Sequence, residues 1–271
     1  MPTDKLITLV TGSNQGIGYH AAAQIAASGQ HYVLVGARDQ IKGQRAVDAL
    51  VSEGVRREYI EAIQIDVDSD ASISTAAKDV EGKFGRLDVL ILNAGIFTAP
   101  GSVRDQYAGV YNTNVFGAAA TTEIFLPLLR KSTLPGGKKI LFVSSGLSSL
   151  SMASAPDSVV PAHIHSVYRS SKTAENMVMA GFATLLKEEG FLVGAICPGF
   201  CATNLNGYEG PKKAEDGARA IVRAVTEEGL REAVHGKLWH QKEEVFGLVW
   251  EEGTYDCMWV ETIDNPWNSA Y

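Results

Sequence analysis

The sequence predicts an α/β fold: a doubly wound parallel sheet with helices on both faces. Three observations carry that expectation. Short apolar, β-branched runs alternate with helix-length segments from residue 6 to residue 228. The runs are apolar at consecutive positions, as strands are when both faces of a sheet are covered. A glycine-rich turn joins the first run to the first helical segment, the order from which right-handed crossovers build such a sheet.

The elements follow in sequence. LITLV (6–10) is the first strand, and the glycines of TGSNQGIG lead into a helix over 16–28 that opens YHAAAQIAAS. YVLVG (32–36) is the second strand, and Asp39 directly precedes the helical pattern of 40–52, which suits it to the N-cap. AIQID (62–66) and a helix over 69–83 come next, then LDVLIL (87–92), the turn Asn93-Ala94-Gly95 and a long helix over 104–131. KILFVS (139–144) runs into a serine pair, and a helix over 166–189 contains YRSSK. FLVGAI (191–196) meets Cys197-Pro198-Gly199, and a helix over 214–228 completes the series. Two segments break the rhythm: 146–165 and the divergent tail over 231–271. With no internal repeat and no linker-like stretch, one domain over 1–271 is expected. Its 271 residues, 45% of them apolar, suffice for a large core.

Bulk properties narrow the function. A formal net charge of −7 argues against a nucleic-acid partner or an anionic membrane surface. No run of about 18 apolar residues predicts a membrane span, and neither MPTDKLITLVTG nor PWNSAY carries a targeting signal, so the cytoplasm is the default expectation. The three cysteines, Cys197, Cys201 and Cys257, lack zinc-ligand spacing and read as inert thiols; no metal is expected.

The turn Thr11-Gly12 to Gly18 has glycines at 12, 16 and 18 between strand and helix. Such glycines permit a tight turn and close backbone approach to a pyrophosphate, whose charge faces the helix N-terminus. The TGxxxGxG spacing, Asn93-Ala94-Gly95, Asn114 in NVFG, Ser145 in VSSG, Tyr168 with Lys172, and Pro198-Gly199 with Thr203 recur in order. Together they resemble the short-chain dehydrogenase/reductase family, and its carbonyl-reductase-like members in particular, over roughly residues 5 to 230. The resemblance implies a Rossmann-type fold that binds a nicotinamide dinucleotide. It implies that Gly12, Ser13, Gln15, Gly16, Ile17 and Gly18 line the phosphates, that Asp66 and Val67 meet the adenine, and that Asn93, Ala94 and Gly95 lie beneath the ribose. Pro198, Gly199, Cys201 and Thr203 would hold the nicotinamide amide and the phosphates. Turn and cap chemistry is the competing reading for Asp66 and Asn93.

The strand end VLVGARD bears on which nicotinamide is used. An acid there bonds the ribose 2′-hydroxyl, whereas an arginine accommodates a 2′-phosphate in a bidentate fork. Ala37 takes the acid's place and Arg38 follows it, which favours NADP(H) over NAD(H). Asp39 as ribose ligand is the competing reading. Gln15 stands where many relatives that use NADP carry a basic residue.

Tyr168 and Lys172 are four apart on a predicted helix and therefore share a face. A neighbouring cation favours phenolate and brings the phenol closer to useful acid–base work. In the family such a tyrosine exchanges a proton with the substrate oxygen, the lysine also bonds the nicotinamide ribose, Ser145 orients the oxygen, and Asn114 supports a water chain to the lysine. A hydrolase reading of Ser145 fails because GxSxG is missing, and His163 and His165 fall in the irregular insertion.

The insertion, with Met152, Val159, Val160, His163 and His165, and the segment 204–213, with Lys212 and Lys213, are expected to form the substrate wall. Few cationic clamps there suggest a small, rather apolar ketone or secondary alcohol of the kind made in secondary metabolism. The aromatics Trp239, Trp250, Tyr255, Trp259, Trp267 and Tyr271 suit packing or subunit contact. The long helices over 104–131 and 166–189 are compatible with a homodimer or homotetramer. Two other functions use the same pocket: a redox-neutral cyclase or isomerase, and a non-catalytic NADP(H) sensor. The intact Asn114–Ser145–Tyr168–Lys172 set argues against both.

Overall fold

A computed structural model describes residues 4–155, 158, 160–240, 243–245, 248–250 and 253–255. The first half winds β1 (Leu6–Val10), α1 (Gly16–Ala27), β2 (His31–Ala37), α2 (Gln40–Ser52), β3 (Ile60–Gln64) and α3 (Asp70–Phe84). The second half starts at β4 (Val89–Leu92) and α4 (Val103–Tyr111), which passes through a π-turn (Asn112–Gly117) into α5 (Ala118–Arg130). It continues with β5 (Lys139–Val143), α6 (Leu150–Ser154), α7 (Ser166–Leu186) and β6 (Leu192–Cys197). A two-residue pair, β7 (Cys201–Ala202) with β8 (Lys212–Lys213), precedes α8 (Ala214–Thr226) and the short α9 (Arg231–Val234).

The tail adds strands that residue pattern alone does not announce. β9 (Leu238–His240) is a seventh parallel strand beside β6, and β12 (Gly253–Tyr255) closes that edge antiparallel. Between them β10 (Glu243–Val245) and β11 (Leu248–Trp250) form a separate antiparallel pair. The main sheet runs β12-β9-β6-β5-β4-β1-β2-β3. Helices α3, α5 and α7 bury Ile73, Phe125 and Phe182 on one face. Helices α1, α2 and α8 bury Ile25, Val47 and Ile221 on the other. The doubly wound α/β fold is therefore the one expected from the sequence, with two refinements. The third strand starts at Ile60 rather than 62, because Ile60 pairs with Val33. The helix over 104–131 is broken by the π-turn.

What this topology supplies is a crevice. From β1 the chain winds outward through β2 and β3, then returns to β4 on the other side of β1. The loops leaving β1 and β4 diverge at their carboxyl ends, and side chains from several elements converge there.

Candidate active site

A cavity of about 510 Å³ occupies that crevice. Its floor is the turn after β1. Gly12 has φ 60°, and a Cβ there would stand 2.8 Å from Ala94 Cα. At Gly18 a Cβ would meet Asn93 Nδ2 at 2.3 Å, so the two connections pass as closely as backbone allows. Asn93 makes that approach a bond: its amide donates to the carbonyls of Thr11 (2.9 Å) and Gly12 (3.1 Å). Thr11 Oγ1 in return accepts the backbone N–H groups of Asn93 (3.0 Å) and Ala94 (3.1 Å). Turn chemistry is thus what the Asn93 side chain does, and it aligns Ala94 and Gly95 along the cavity beside Gln15, Gly16 and Ile17.

Ser13 departs from the role the resemblance gives it. It is fully buried, its hydroxyl donates to Val10 O (2.7 Å) and its N–H to Gly36 O (2.9 Å), so its side chain locks the turn to the sheet instead of lining the cavity. Cys201 is buried too, its thiol 3.4 Å from Pro198 O, and Gly199 turns the chain at φ 85°. From that segment the cavity receives Pro198 and Thr203, together with Asn204 and Leu205.

At the end beyond β2, Arg38, Asp39 and Lys42 border the cavity, with Asp66 and Val67 across from them. The Asp39 carboxylate accepts the Lys42 N–H (3.0 Å) as N-cap of α2, and that bond holds its carboxyl below the usual range. Asp66 accepts the Asp68 N–H (3.2 Å) in a local turn. The guanidinium of Arg38 is exposed, and Lys42 supplies a second cation beside it. Lys42, in the first turn of α2, lies four residues past Arg38 in ARDQIK.

At the other end α7 presents two stripes side by side. Tyr168, Lys172 and Glu175 form one; Arg169, Thr173 and Asn176 form the next. The Ser145 hydroxyl stands beside the Tyr168 phenol and acts to lower it, and its Oγ accepts the Leu147 N–H (3.2 Å). Ser144 lines the cavity, and its buried hydroxyl has no protein partner among the described residues. Lys172 Nζ donates to Val143 O (2.8 Å) and to the Glu175 carboxylate (2.7 Å). Asn114, fully buried in the π-turn, accepts the Ile96 N–H (2.8 Å) and donates to Ile96 O (2.9 Å) and Ser171 Oγ (3.0 Å). A Cβ on Gly95 would stand 3.2 Å from Asn114 Oδ1 and 3.7 Å from Lys172 Nζ, so both reach the same point of the wall.

The electrostatics differ from the sequence expectation. Lysine alone would favour phenolate. Burial instead pushes the Tyr168 phenol up; the Glu175 carboxylate and the Cys197 thiol add to the rise, and the Ser145 hydroxyl opposes it. Glu175 compensates the charge of Lys172. Its own carboxyl is raised to about 7 because burial outweighs the pull of the lysine.

The second stripe secures the irregular segment. Arg169 donates to Leu147 O (3.1 Å), Val160 O (2.9 Å) and Pro161 O (3.2 Å). Thr173 donates to Ser148 O (2.8 Å), and Asn176 to Ser148 Oγ (2.7 Å). Met152 and Val160 are half-buried and outside the cavity wall, and Val159 lies outside the described residues. The wall near Tyr168 comes instead from Ile96, Phe97 and Thr98, with the Phe97 ring 4.8 Å from those of Tyr168 and His165. His163 and His165 are exposed. Lys212 donates to Pro198 O (3.0 Å), and Lys213 is exposed. Trp239 is buried in β9; the side chains of Trp250 and Tyr255, and residues Cys257, Trp259, Trp267 and Tyr271, lie outside the described residues. Among the described residues no cluster of His, Cys, Asp or Glu suits a metal ion, and no helix is long and apolar enough to cross a membrane.

The chain is similar to known proteins in sequence and in fold. The family described as short chain dehydrogenase matches residues 6–214. A short-chain dehydrogenase, anuI, of Penicillium roqueforti is 44% identical over 91% of this chain and 98% of its own length. The short-chain dehydrogenase/reductase tropE of Talaromyces stipitatus is 35% identical over 87% and 95%. Among solved structures, an NADPH-bound carbonyl reductase from chicken fatty liver superposes with a TM-score of 0.74 at 25% identity, covering 87% of this chain and 96% of that one.

Proposed function

The chain belongs to the short-chain dehydrogenase/reductase family, and from that premise we propose that it is an NADP(H)-dependent carbonyl reductase, able to run in reverse on a secondary alcohol. One observation carries the reading. Tyr168, beside Ser145, and Lys172 one turn further stand at one end of a single cavity whose other end holds Arg38 and Lys42.

The residues present fit the dinucleotide. Gly12, Gln15, Gly16 and Ile17 line the cavity where α1 begins, so a pyrophosphate lying against that turn would face the helix N-terminus. Gly12, Gln15, Gly16 and Ile17 would hold the phosphates, with Thr203 opposite; Asp66 and Val67 would border the adenine. Asn93, Ala94 and Gly95 form the floor under the ribose, and Pro198 borders the nicotinamide. Arg38, with Lys42 beside it, answers a 2′-phosphate. The likeness to an NADPH-bound carbonyl reductase supports the same preference.

When bound, the nicotinamide supplies the hydride to a carbonyl carbon or takes it from the alcohol carbon. The chain's own groups handle the oxygen. Ser145 holds it by hydrogen bond, and Tyr168 gives up its proton as negative charge develops there. Lys172 then stabilises the phenolate left behind. Asn114, fixed by its bonds to Ile96, keeps the space behind Gly95 in shape. The substrate is a neutral, rather apolar ketone, a class supported by Ile96, Phe97 and Leu205 in the wall. Exposed Phe116, Met177 and Leu185 support self-association into a homodimer or homotetramer.

The test is NADPH oxidation against a panel of aromatic and polycyclic ketones, for the wild type and for Tyr168→Phe. The variant should bind NADPH by calorimetry and lose at least about 10²–10⁴-fold in turnover, the usual contribution of a general acid. A Tyr168→Phe protein that reduces ketones at near wild-type rate refutes the mechanism.

A further inference from the structure

The mechanism above leaves one charged group without a task. Glu175 lies on the stripe of Tyr168 and Lys172, at i+7 and i+3, and is fully buried. A buried carboxylate is costly unless its charge and both oxygens are answered. Only one oxygen is: Oε2 lies 2.7 Å from Lys172 Nζ, while Oε1 has no protein partner among the described residues. Lys172 spends a second proton on Val143 O, which leaves one of its three donors for the cavity.

This arrangement changes what Lys172 does to its neighbour. A lone ammonium favours phenolate; an ammonium in contact with a carboxylate presents a dipole, and the carboxylate itself opposes a second negative charge. We propose that Glu175 is a positioning residue that neutralises Lys172 and so keeps Tyr168 in its protonated, proton-donating form. The inference rests on the reading of Tyr168 as the acid. It implies a site poised for reduction, since the protonated phenol that reduction needs is the populated form and little phenolate is present to accept the proton of an alcohol.

The other groups facing Tyr168 do not substitute for Glu175. Cys197 on β6 is titratable and also raises the phenol, though less than Glu175 does. Val143 on β5 and Asn114 in the π-turn offer neutral dipoles, and Ser145 offers a hydrogen bond. His165 is exposed and meets the Phe97 ring, which also meets that of Tyr168.

Glu175→Gln keeps the shape and removes the charge. With saturating NADP⁺, the ionisation that governs alcohol oxidation should fall by about one to three pH units, and oxidation below that pH should rise about tenfold per unit. Packing alone would not move this profile. A second readout does not need turnover: the NMR titration of ¹³Cζ-labelled tyrosine in the NADP⁺ complex, with Tyr168 assigned by its loss in Tyr168→Phe. Should Glu175→Gln not fold, Glu175→Asp retracts the carboxylate from Nζ and is expected to shift the same ionisation in the same direction by less. An unshifted Tyr168 in the folded variant overturns the role of Glu175, whether or not ketones are reduced. A shifted Tyr168 in a protein that reduces no carbonyl compound supports the role of Glu175 and refutes the proposed activity instead.

Discussion

Two lysines are buried at opposite ends of the same sheet, and each is paired with a glutamate. At the amino end, Lys139 donates to Val225 O (2.6 Å) and to Glu228 (2.7 Å), whose side chain is 61% exposed, so water shares the carboxylate. Around it Asp88 accepts from the Ile7 N–H (2.7 Å), Ser132 Oγ (2.6 Å) and Arg86 Nε (3.0 Å), and His31 Nδ1 lies 2.8 Å from Thr8 Oγ1. At the carboxyl end, Lys172 is paired with a glutamate at 0% exposure that keeps one oxygen unanswered, next to the unanswered hydroxyl of Ser144 and Oδ1 of Asn176. The same residue types thus close one end and leave hydrogen-bonding capacity at the other. A saturated polar network holds a fold; one with capacity to spare is fitted to a ligand.

Three measurements sharpen or break this contrast. The largest effect is expected from Asp88→Ala, which removes the shared acceptor of the Ile7 N–H, Ser132 and Arg86 and should cost about 3–5 kcal/mol in denaturant unfolding while turnover per folded molecule is retained. Tyr168→Phe should do the reverse, with unfolding almost unchanged; if both variants lose stability alike, the division between the ends is wrong.

Next comes pH. Burial lowers His31 from 6.5 to about 4, so between those values the folded chain holds fewer protons than the unfolded one. Stability should therefore fall by about 3 kcal/mol as pH drops through that window, and His31→Gln should flatten the decline. Glu175 tilts the other way: its raised carboxyl contributes stability below its unfolded value of 4.5 that is lost as pH rises through about 7. Glu175→Gln should consequently steepen the acid limb seen by denaturant titration, and an unchanged limb would mean the two ends are not opposed.

The smallest effect is at the far end of the cavity. Arg38→Ala should raise the Michaelis constant for NADPH roughly ten- to a hundredfold, the loss of about 1.5–3 kcal/mol of charge-assisted bonding, and leave that for NADH nearly unchanged. Equal effects on both would remove Arg38 from the 2′-phosphate.

What could be read in the sequence was whatever residue type determines by itself. Glycines at 12 and 18 announce a backbone approach, and Tyr168 with Lys172 announces a shared helical face, because spacing alone brings them together. Features that depend on partners were hidden. Ser13 looks like a ligand side chain until Val10 O is seen beside it. Glu175 reads as an ordinary helical carboxylate, since such groups usually face water. Strand β9 has three residues, too few for a period, and exists because Leu238, Trp239 and His240 align with Ala195, Ile196 and Cys197. The early start of β3 was masked by Glu61, a charge within an apolar run that is tied to the Tyr32 hydroxyl (2.9 Å).

The π-turn that carries Asn114 has a consequence for length variation in the chain. An α-helix turns about 100° per residue, and a π-turn accommodates one extra residue without unwinding the helix. Were Asn112–Gly117 wound as regular helix with no residue removed, all that follows would rotate by about a quarter turn relative to α4. Phe125 and Leu129, both at 0% exposure, would swing off the sheet, or Asn114 would swing off Ile96. Removing one residue here instead closes the bulge into regular helix with both flanks kept in phase, a deletion that an ordinary helix could not absorb. The wider turn is what keeps the two halves of that helix in phase with different neighbours.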